Sequence, residues 1–302
     1  EIKRRLYIQN VEIRDREDSD VKPYVQEMKQ TWIEVELTKS IYSIKEYLEK
    51  CKDQRITKLM SWRIINYPKI SKSQVLKLQE QLAKKRTGFG WAAMSMLAEV
   101  LKADHALTLL ETQCLQSLKI YFDSLVEQRE KKSVQRLLKD ENFRNAMRLT
   151  SELLNEGQEH PKMEKLKEIV KDEIGKNKFT SIIIFAQYRD TIATIHEELK
   201  NIKNVAPIEF IGQAKKKGKG LSQKEQMQIL NEFKMGFYNV LIASQIGEEG
   251  LDITETDAVI FYEPVPSAVR RVQRMGRTAR TKSGKIIMLM TKDTRDEAYH
   301  WS

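Results

Sequence analysis

The sequence predicts an α/β domain, a parallel sheet with helices on both faces, preceded by an all-α helical domain. Three observations carry that prediction. Glycine placement divides the chain, since only Gly88 and Gly90 precede residue 150 and the other ten glycines follow from Gly157 onward. The glycine-poor half has Pro23 and Pro68 as its only prolines and carries apolar residues at helical spacing; long stretches without either breaker read as long helices. After His160-Pro161, short Ile/Val/Leu runs alternate with amphipathic segments, the pattern of a parallel sheet buried on both sides.

Three units follow in order. Residues 1–38 read as the trailing edge of a preceding domain plus a connection. Arg5–Arg14 (RLYIQNVEIR) and Trp32–Leu37 (WIEVEL) alternate apolar and polar residues as strands do, with the charged run Arg16–Lys22 between them. Residues 39–158 read as a helical unit. Met94, Leu97, Val100 and Leu101 form one stripe and Leu115, Leu118, Phe122 and Leu125 another, with similar segments at Ile41–Met60 and Ser133–Leu154. Such stripes are the faces by which helices pack on each other, and His105 on one of them is expected as a packed histidine.

Residues 159–302 read as the α/β unit. Strands are expected at Ser181–Ala186, Ile208–Ile211, Val240–Ala243, Ala258–Tyr262 and Lys285–Met290, and helices near Lys162–Ile174, Arg189–Leu199, Gln223–Lys234 and Ser267–Met275. Ser222 with Glu225 three residues on is a capping box that starts one of these helices. No period of about 20–50 residues repeats, which argues against a solenoid.

Composition narrows the function classes. A length of 302 residues suits about two domains, each with its own core. The net charge of +10 attracts polyanions, nucleic acid or anionic lipid. No run approaches the roughly eighteen apolar residues of a membrane span, and no signal-peptide pattern opens the chain. The chain begins at Glu1, which reads as a fragment of something longer. Cys51 and Cys114 make no disulfide framework and fit a reducing compartment. His105, His160, His196 and His300 stand apart from the cysteines and from each other, so no zinc-site spacing is present.

Three blocks carry chemistry. Gln273–Arg280 (QRMGRTAR) sets Arg274, Arg277 and Arg280 around Gly276, and two guanidinium forks on one turn suit a triphosphate. Upstream, Val240–Thr254 (VLIASQIGEEGLDIT) runs from a buried strand into a loop with Ser244, Gly247, Gly250 and Asp252. Ile184–Thr191 (IFAQYRDT) repeats the design with Gln187, Tyr188 and Arg189. Ligands bind at such strand ends in parallel sheets.

In order and spacing these blocks resemble motifs IV, V and VI of superfamily-two helicases. The wording is closer still to archaeal Hef and FANCM-type DNA helicases, at Phe210–Ala214 (FIGQA), Gly220–Gln223 (GLSQ), Phe261–Pro266 (FYEPVP) and Thr294–Trp301 (TRDEAYHW). The likeness runs through most of residues 161–302, and the helical half resembles the insertion between that family's two motor domains, with Leu109–Cys114 (LLETQC) and His160–Lys167 (HPKMEKLK) as anchors. The resemblance implies a RecA-like fold for the α/β unit and ATP with Mg2+ as cofactors of the complete protein. It implies that Arg277 and Arg280 reach the γ-phosphate, that Gln273 couples nucleotide to domain closure, and that Gly250 and Asp252 lie at the ATP cleft. Gln187, Arg189, Gly212, Gln213 and Ser244 would face the phosphodiester backbone. The basic stretch Lys69–Arg86, ending in Lys84, Lys85 and Arg86, would grip nucleic acid electrostatically, with Trp91 beside it as an exposed aromatic.

The implied partners are forked or branched DNA, the first RecA-like domain and, as in some relatives, a nuclease domain and a sliding clamp. The implied setting is the DNA-associated cytoplasm of a prokaryote. A complete motor also needs a phosphate-binding loop and a metal-binding acidic motif from the first domain. Gly212–Gly220 (GQAKKKGKG) mimics the former with its glycines one residue too far apart, and Asp296–His300 (DEAYH) mimics the latter with a residue inserted. The chain alone is therefore expected to bind ATP weakly, if at all, and not to hydrolyse it. Two other readings stay open: a double-stranded RNA motor of the RIG-I-like or Dicer type, and a non-catalytic branched-DNA-binding module.

Overall fold

The structure, a computed structural model, describes residues 29–85, 87–177, 179–212, 220–244, 256–264 and 285–300, with Arg5 and residues 7–9. The short Ile/Val/Leu runs become strands of one sheet: β1 (Lys29–Val35), β2 (Ile182–Phe185), β3 (Pro207–Phe210), β4 (Val240–Ala243), β5 (Ala258–Phe261) and β6 (Lys285–Thr291). Their order is β1-β6-β5-β2-β4-β3, and every pair is parallel. In the central strands Ile184 stands in register with Ile242 on one side and Ile260 on the other.

The period of two along each strand separates the two faces. Ile182, Ile184, Ile242 and Ile260 share one core with Leu166 and Val170 of α7 (Pro161–Lys176) and Ile192, Ile195 and Leu199 of α8 (Arg189–Lys200). Ile183, Phe185, Leu241, Val259 and Phe261 face the other way, onto Phe233 of α9 (Gln223–Lys234). Both faces are covered, as the continuous apolar runs require. The capping box at Ser222 and Glu225 is present. At its other end α9 stops on Gly236 at φ 80°, with the Gly236 and Phe237 N–H groups returning to the Phe233 and Glu232 carbonyls. That left-handed stop is one only glycine adopts cheaply.

The helical unit comprises α1 (Lys39–Ser61), α2 (Lys72–Lys85), α3 (Gly88–Thr112), α4 (Leu115–Glu127), α5 (Lys132–Lys139) and α6 (Glu141–Asn155). Its main core joins Ile44 and Leu48 of α1, Leu107 and Leu110 of α3, Leu118 and Phe122 of α4, and Phe143 of α6. A second core at the far end holds Leu59, Val75 and Leu97. Between them a buried ion cluster forms where Arg55 reaches Glu99 at 3.0 Å and Asp140 at 2.9 Å, while Arg136 also meets Glu99. Asp140 doubles as the N-cap of α6. His105 packs edge-on against Tyr121, ring centroids 4.7 Å apart.

Two expectations change. The strand at Lys29–Val35 is the edge strand of this sheet, pairing with β6, so it belongs to the α/β unit rather than to a preceding domain. Its alternation is that of any half-covered edge strand, and sequence spacing alone cannot say which sheet it joins. Of the strand expected over Arg5–Arg14, only Arg5, Tyr7, Ile8 and Gln9 are described, and none of them is in a strand. The helix expected at Ser267–Met275 lies outside the described residues.

Candidate nucleic-acid interface

Because all six strands are parallel, their C-terminal ends lie along one edge of the sheet. The ladder continues past the strands themselves: Ala186 N–H donates to the Ala243 carbonyl (3.1 Å), Tyr262 to Phe185 (2.9 Å) and Ser244 to Phe210 (3.1 Å). These bonds bring Gln187, Gly212, Ser244 and Glu263 side by side. Gln187 is exposed, Tyr188 and Arg189 half-buried. The Arg189 guanidinium donates to the buried Gly212 carbonyl at 3.1 Å, tying the β2 and β3 ends together. Ser244 is 6% exposed, and its Oγ finds no hydrogen-bond partner among the described residues. A buried hydroxyl left open is a costly arrangement unless something else accepts it.

The rest of the expected site lies at the far end of the bundle or outside the described residues. Gln213, Gly250, Asp252, Gln273, Arg277, Arg280 and Arg86 lie outside the described residues, and the Lys85 side chain does too. Lys84, next to last in α2, faces solvent with its side chain 74% exposed and pairs with Glu80 one turn back at 3.3 Å. Trp91 is 59% exposed near the start of α3. Close by, Phe89 meets Trp62 with ring centroids 5.6 Å apart, and Lys58 lies over the Trp62 ring. Basic side chains and half-exposed aromatics therefore gather at the far end of the bundle.

Sequence reasoning missed how the bundle meets the sheet. The α3–α4 corner, Thr112-Gln113-Cys114, inserts into the strand-end edge. Gln113 is fully buried and donates its amide to Glu263 at 2.6 Å, accepts from the Thr191 hydroxyl at 2.8 Å, and gives its carbonyl to the Tyr262 hydroxyl at 3.1 Å. The second Glu263 oxygen takes the backbone N–H of Gln187. Lys162, buried at the start of α7, bonds the Thr112 carbonyl at 2.9 Å and forms an ion pair with buried Asp296 of α10 (Arg295–His300). His160 caps α7, its Nδ1 accepting from Lys162 N–H at 3.1 Å.

Burial sets the charge states of this junction. Burial drives His160 down to about 3, and the Lys162 ammonium pushes the same way. Burial lifts the Glu263 carboxyl to about 7, against the opposing pull of Lys162 and Gln113. Beside the junction lies a cavity of about 480 Å³ between α3 and the strand ends, walled in part by Asp104, His105, Gln187, Tyr188 and Arg295. Asp296 of the DEAYH segment is thus committed to Lys162 and the Thr291 N–H. The signal for the junction was present as a lone acid just after an apolar strand, in FYEPVP, and a lone amide between apolar helices, in LLETQC.

Comparison with known proteins places this arrangement. Residues 161–282 match the family described as "Helicase conserved C-terminal domain", and residues 40–157 match "Putative ATP-dependent RNA helicase, helical bundle". The crystal structure of the Pyrococcus furiosus Hef helicase domain superposes with a TM-score of 0.81 at 36% identity, over 99% of this chain and 63% of that one. The "Putative ATP-dependent RNA helicase" of Methanocaldococcus jannaschii is 38% identical over 100% of this chain, and the ATP-dependent DNA helicase fml1 of Schizosaccharomyces pombe 33% identical over 95%. The chain spans 38% and 36% of the lengths of these two relatives. Among the described residues no helix is long and apolar enough to cross a membrane. With a parallel RecA-like sheet behind a fused helical bundle, the chain belongs to the Hef/FANCM-type superfamily-two helicases, of which it forms the C-terminal motor region.

Proposed function

We propose that this chain supplies the second RecA-like domain and the helical clamp of an ATP-dependent helicase or translocase that remodels forked or branched DNA, in the repair of replication forks. The observation that carries this reading is the seating of the bundle on the strand-end edge. One polyanion lying along that edge can touch the exposed Gln187 while reaching toward the basic, aromatic end of the bundle. Contacts of that kind read a backbone rather than a base sequence. The name of the S. pombe relative, a DNA helicase, supports the choice of substrate.

ATP and Mg2+ belong to the complete protein in this reading. Arg277 and Arg280, with Gln273, would stabilise charge on the transferring phosphoryl group, and Gly250 and Asp252 would line the cleft. The phosphate-binding loop comes from the first RecA-like domain, which is the partner this reading requires. A second reading, double-stranded RNA as substrate, is favoured by the names of the bundle family and of the M. jannaschii relative.

Binding of the chain to a labelled DNA fork by fluorescence anisotropy, with linear duplex DNA and double-stranded RNA as competitors across salt concentrations, separates the readings. Fork DNA is expected to win by tenfold or more, which is about 1.4 kcal/mol. Equal competition with a steep salt slope reduces the bundle to a source of charge. Victory for RNA keeps the motor and changes its substrate.

A further inference from the structure

Every polar group of the Gln113 side chain and its carbonyl is used by the α/β unit or the corner itself. The amide nitrogen serves Glu263 and Thr112, the amide oxygen takes Thr191, and the carbonyl takes Tyr262. Thr191 is also within 3.0 Å of Ser117 on α4, so its hydroxyl is held by the bundle on two sides. Glu263 is the hub: one carboxylate oxygen holds the bundle through Gln113, and the other holds the backbone N–H of Gln187. The packing is reciprocal. Cys114 of the corner sits in the core of the sheet, and Tyr188, next to Gln187, packs against the core of the bundle.

We propose that Glu263 is a positioning residue that sets the Gln187–Thr191 segment by the seat of the helical bundle, so that load on the bundle is felt at motif IV. This inference rests on the reading of Gln187 as a nucleic-acid contact for its consequence, while the coupling itself stands on the hydrogen bonds. A shift of the α3–α4 corner moves Gln113, and the carboxylate must then follow it or release it. In the first case the Gln187 N–H loses its acceptor; in the second the bundle loses one of its anchors. Slightly stretched arrangements of a buried network of this kind are costly, because each unmade bond leaves a desolvated group.

The test exchanges the two side chains. Glu263→Gln places an amide nitrogen where an acceptor is required, and Gln113→Glu sets two acids against each other. The double exchange restores an amide–carboxylate pair, an acceptor for Thr191 and an acceptor for Gln187. Amide hydrogen exchange of the 302-residue chain is measured by segment for the wild type, both single variants and the double, with fork DNA affinity measured in parallel. The singles are expected to speed exchange across 187–191 at least tenfold while α1 and β4 exchange as in the wild type, to weaken fork binding, and to recover both in the double exchange. Thr191→Val, which removes one hydroxyl, is expected to give a smaller local loosening and serves if a single variant does not fold. Exchange unchanged at 187–191, or raised equally through bundle and sheet without recovery in the double, overturns the proposal. Local loosening with recovery in a chain whose wild type binds no fork DNA upholds the coupling and overturns the substrate.

Discussion

His160 and Glu263 titrate in opposite senses, and substitution of either unmasks the other. His160 sits far below the ordinary histidine value of 6.5, at about 3. Between those values the unfolded chain binds a proton that the folded chain refuses, so the stability from this group is whole above pH 6.5 and is lost as pH falls. Glu263 lies above the ordinary 4.5, at about 7. Between those values the folded chain keeps a proton the unfolded chain has released, so stability from this group falls as pH rises. Taken from pH 7 to pH 5, linkage gives a loss of about 2 kcal/mol from His160 and a gain of about 2 kcal/mol from Glu263. The two nearly cancel. Glu263→Gln removes the gain and is expected to make acidification cost about 2 kcal/mol more than in the wild type. His160→Asn keeps a capping acceptor and removes the loss, so acidification becomes about 2 kcal/mol more favourable than in the wild type. Urea unfolding of the three proteins at pH 7 and pH 5 measures this, and groups common to all cancel in the differences. The same pH response in all three would refute the assigned titrations.

Other substitutions test separate parts of the structure. Arg55→Ala leaves buried Glu99 and half-buried Asp140 without the guanidinium that joins them and is expected to cost about 3–5 kcal/mol in urea unfolding, with partial recovery on adding Glu99→Gln. Phe122→Ala empties the centre of the bundle core and is expected to cost about 3–5 kcal/mol by the same measurement. Charge reversal at Lys84, Lys85 and Arg86 is expected to weaken fork binding and flatten its salt dependence; unchanged fork affinity counts against the clamp. The chain without a first RecA-like domain is expected to show no ATPase activity above background in a phosphate-release assay, with or without fork DNA.

What was legible in the sequence is what repeats. Runs such as Ser181–Ala186 and Val240–Ala243 announced buried parallel strands, and the structure places strands at Ile182–Phe185 and Val240–Ala243. Period-3.6 stripes announced the bundle, whose stripe residues Leu118 and Phe122 lie in its core. Pairing across long sequence distance was not legible. WIEVEL carries the alternation of a strand but no mark of the sheet it joins, and the partner of β1 lies about 250 residues away at Lys285–Thr291. Gln113 and Glu263 are 150 residues apart. Each alone is a polar residue in an apolar setting, which warns that a partner exists without saying where.

The choice of polar groups for that seat has a physical reason. The bundle and the sheet keep distinct apolar cores, and an apolar contact between them would tolerate sliding, because burial is not directional. Gln113, Lys162 and Glu263 make bonds that are lost together if the corner shifts by about an ångström, since hydrogen bonds weaken steeply outside a narrow range of distance and angle. A buried charge such as Lys162 is no bargain in stability against an apolar group of its size. Its benefit is uniqueness of position: it holds the end of α3 through the Thr112 carbonyl and α10 through Asp296. In the proposed function, a clamp that moves with one motor domain without slipping on it requires a seat of this kind, and the bundle and the sheet it sits on would act as one lever against the first RecA-like domain.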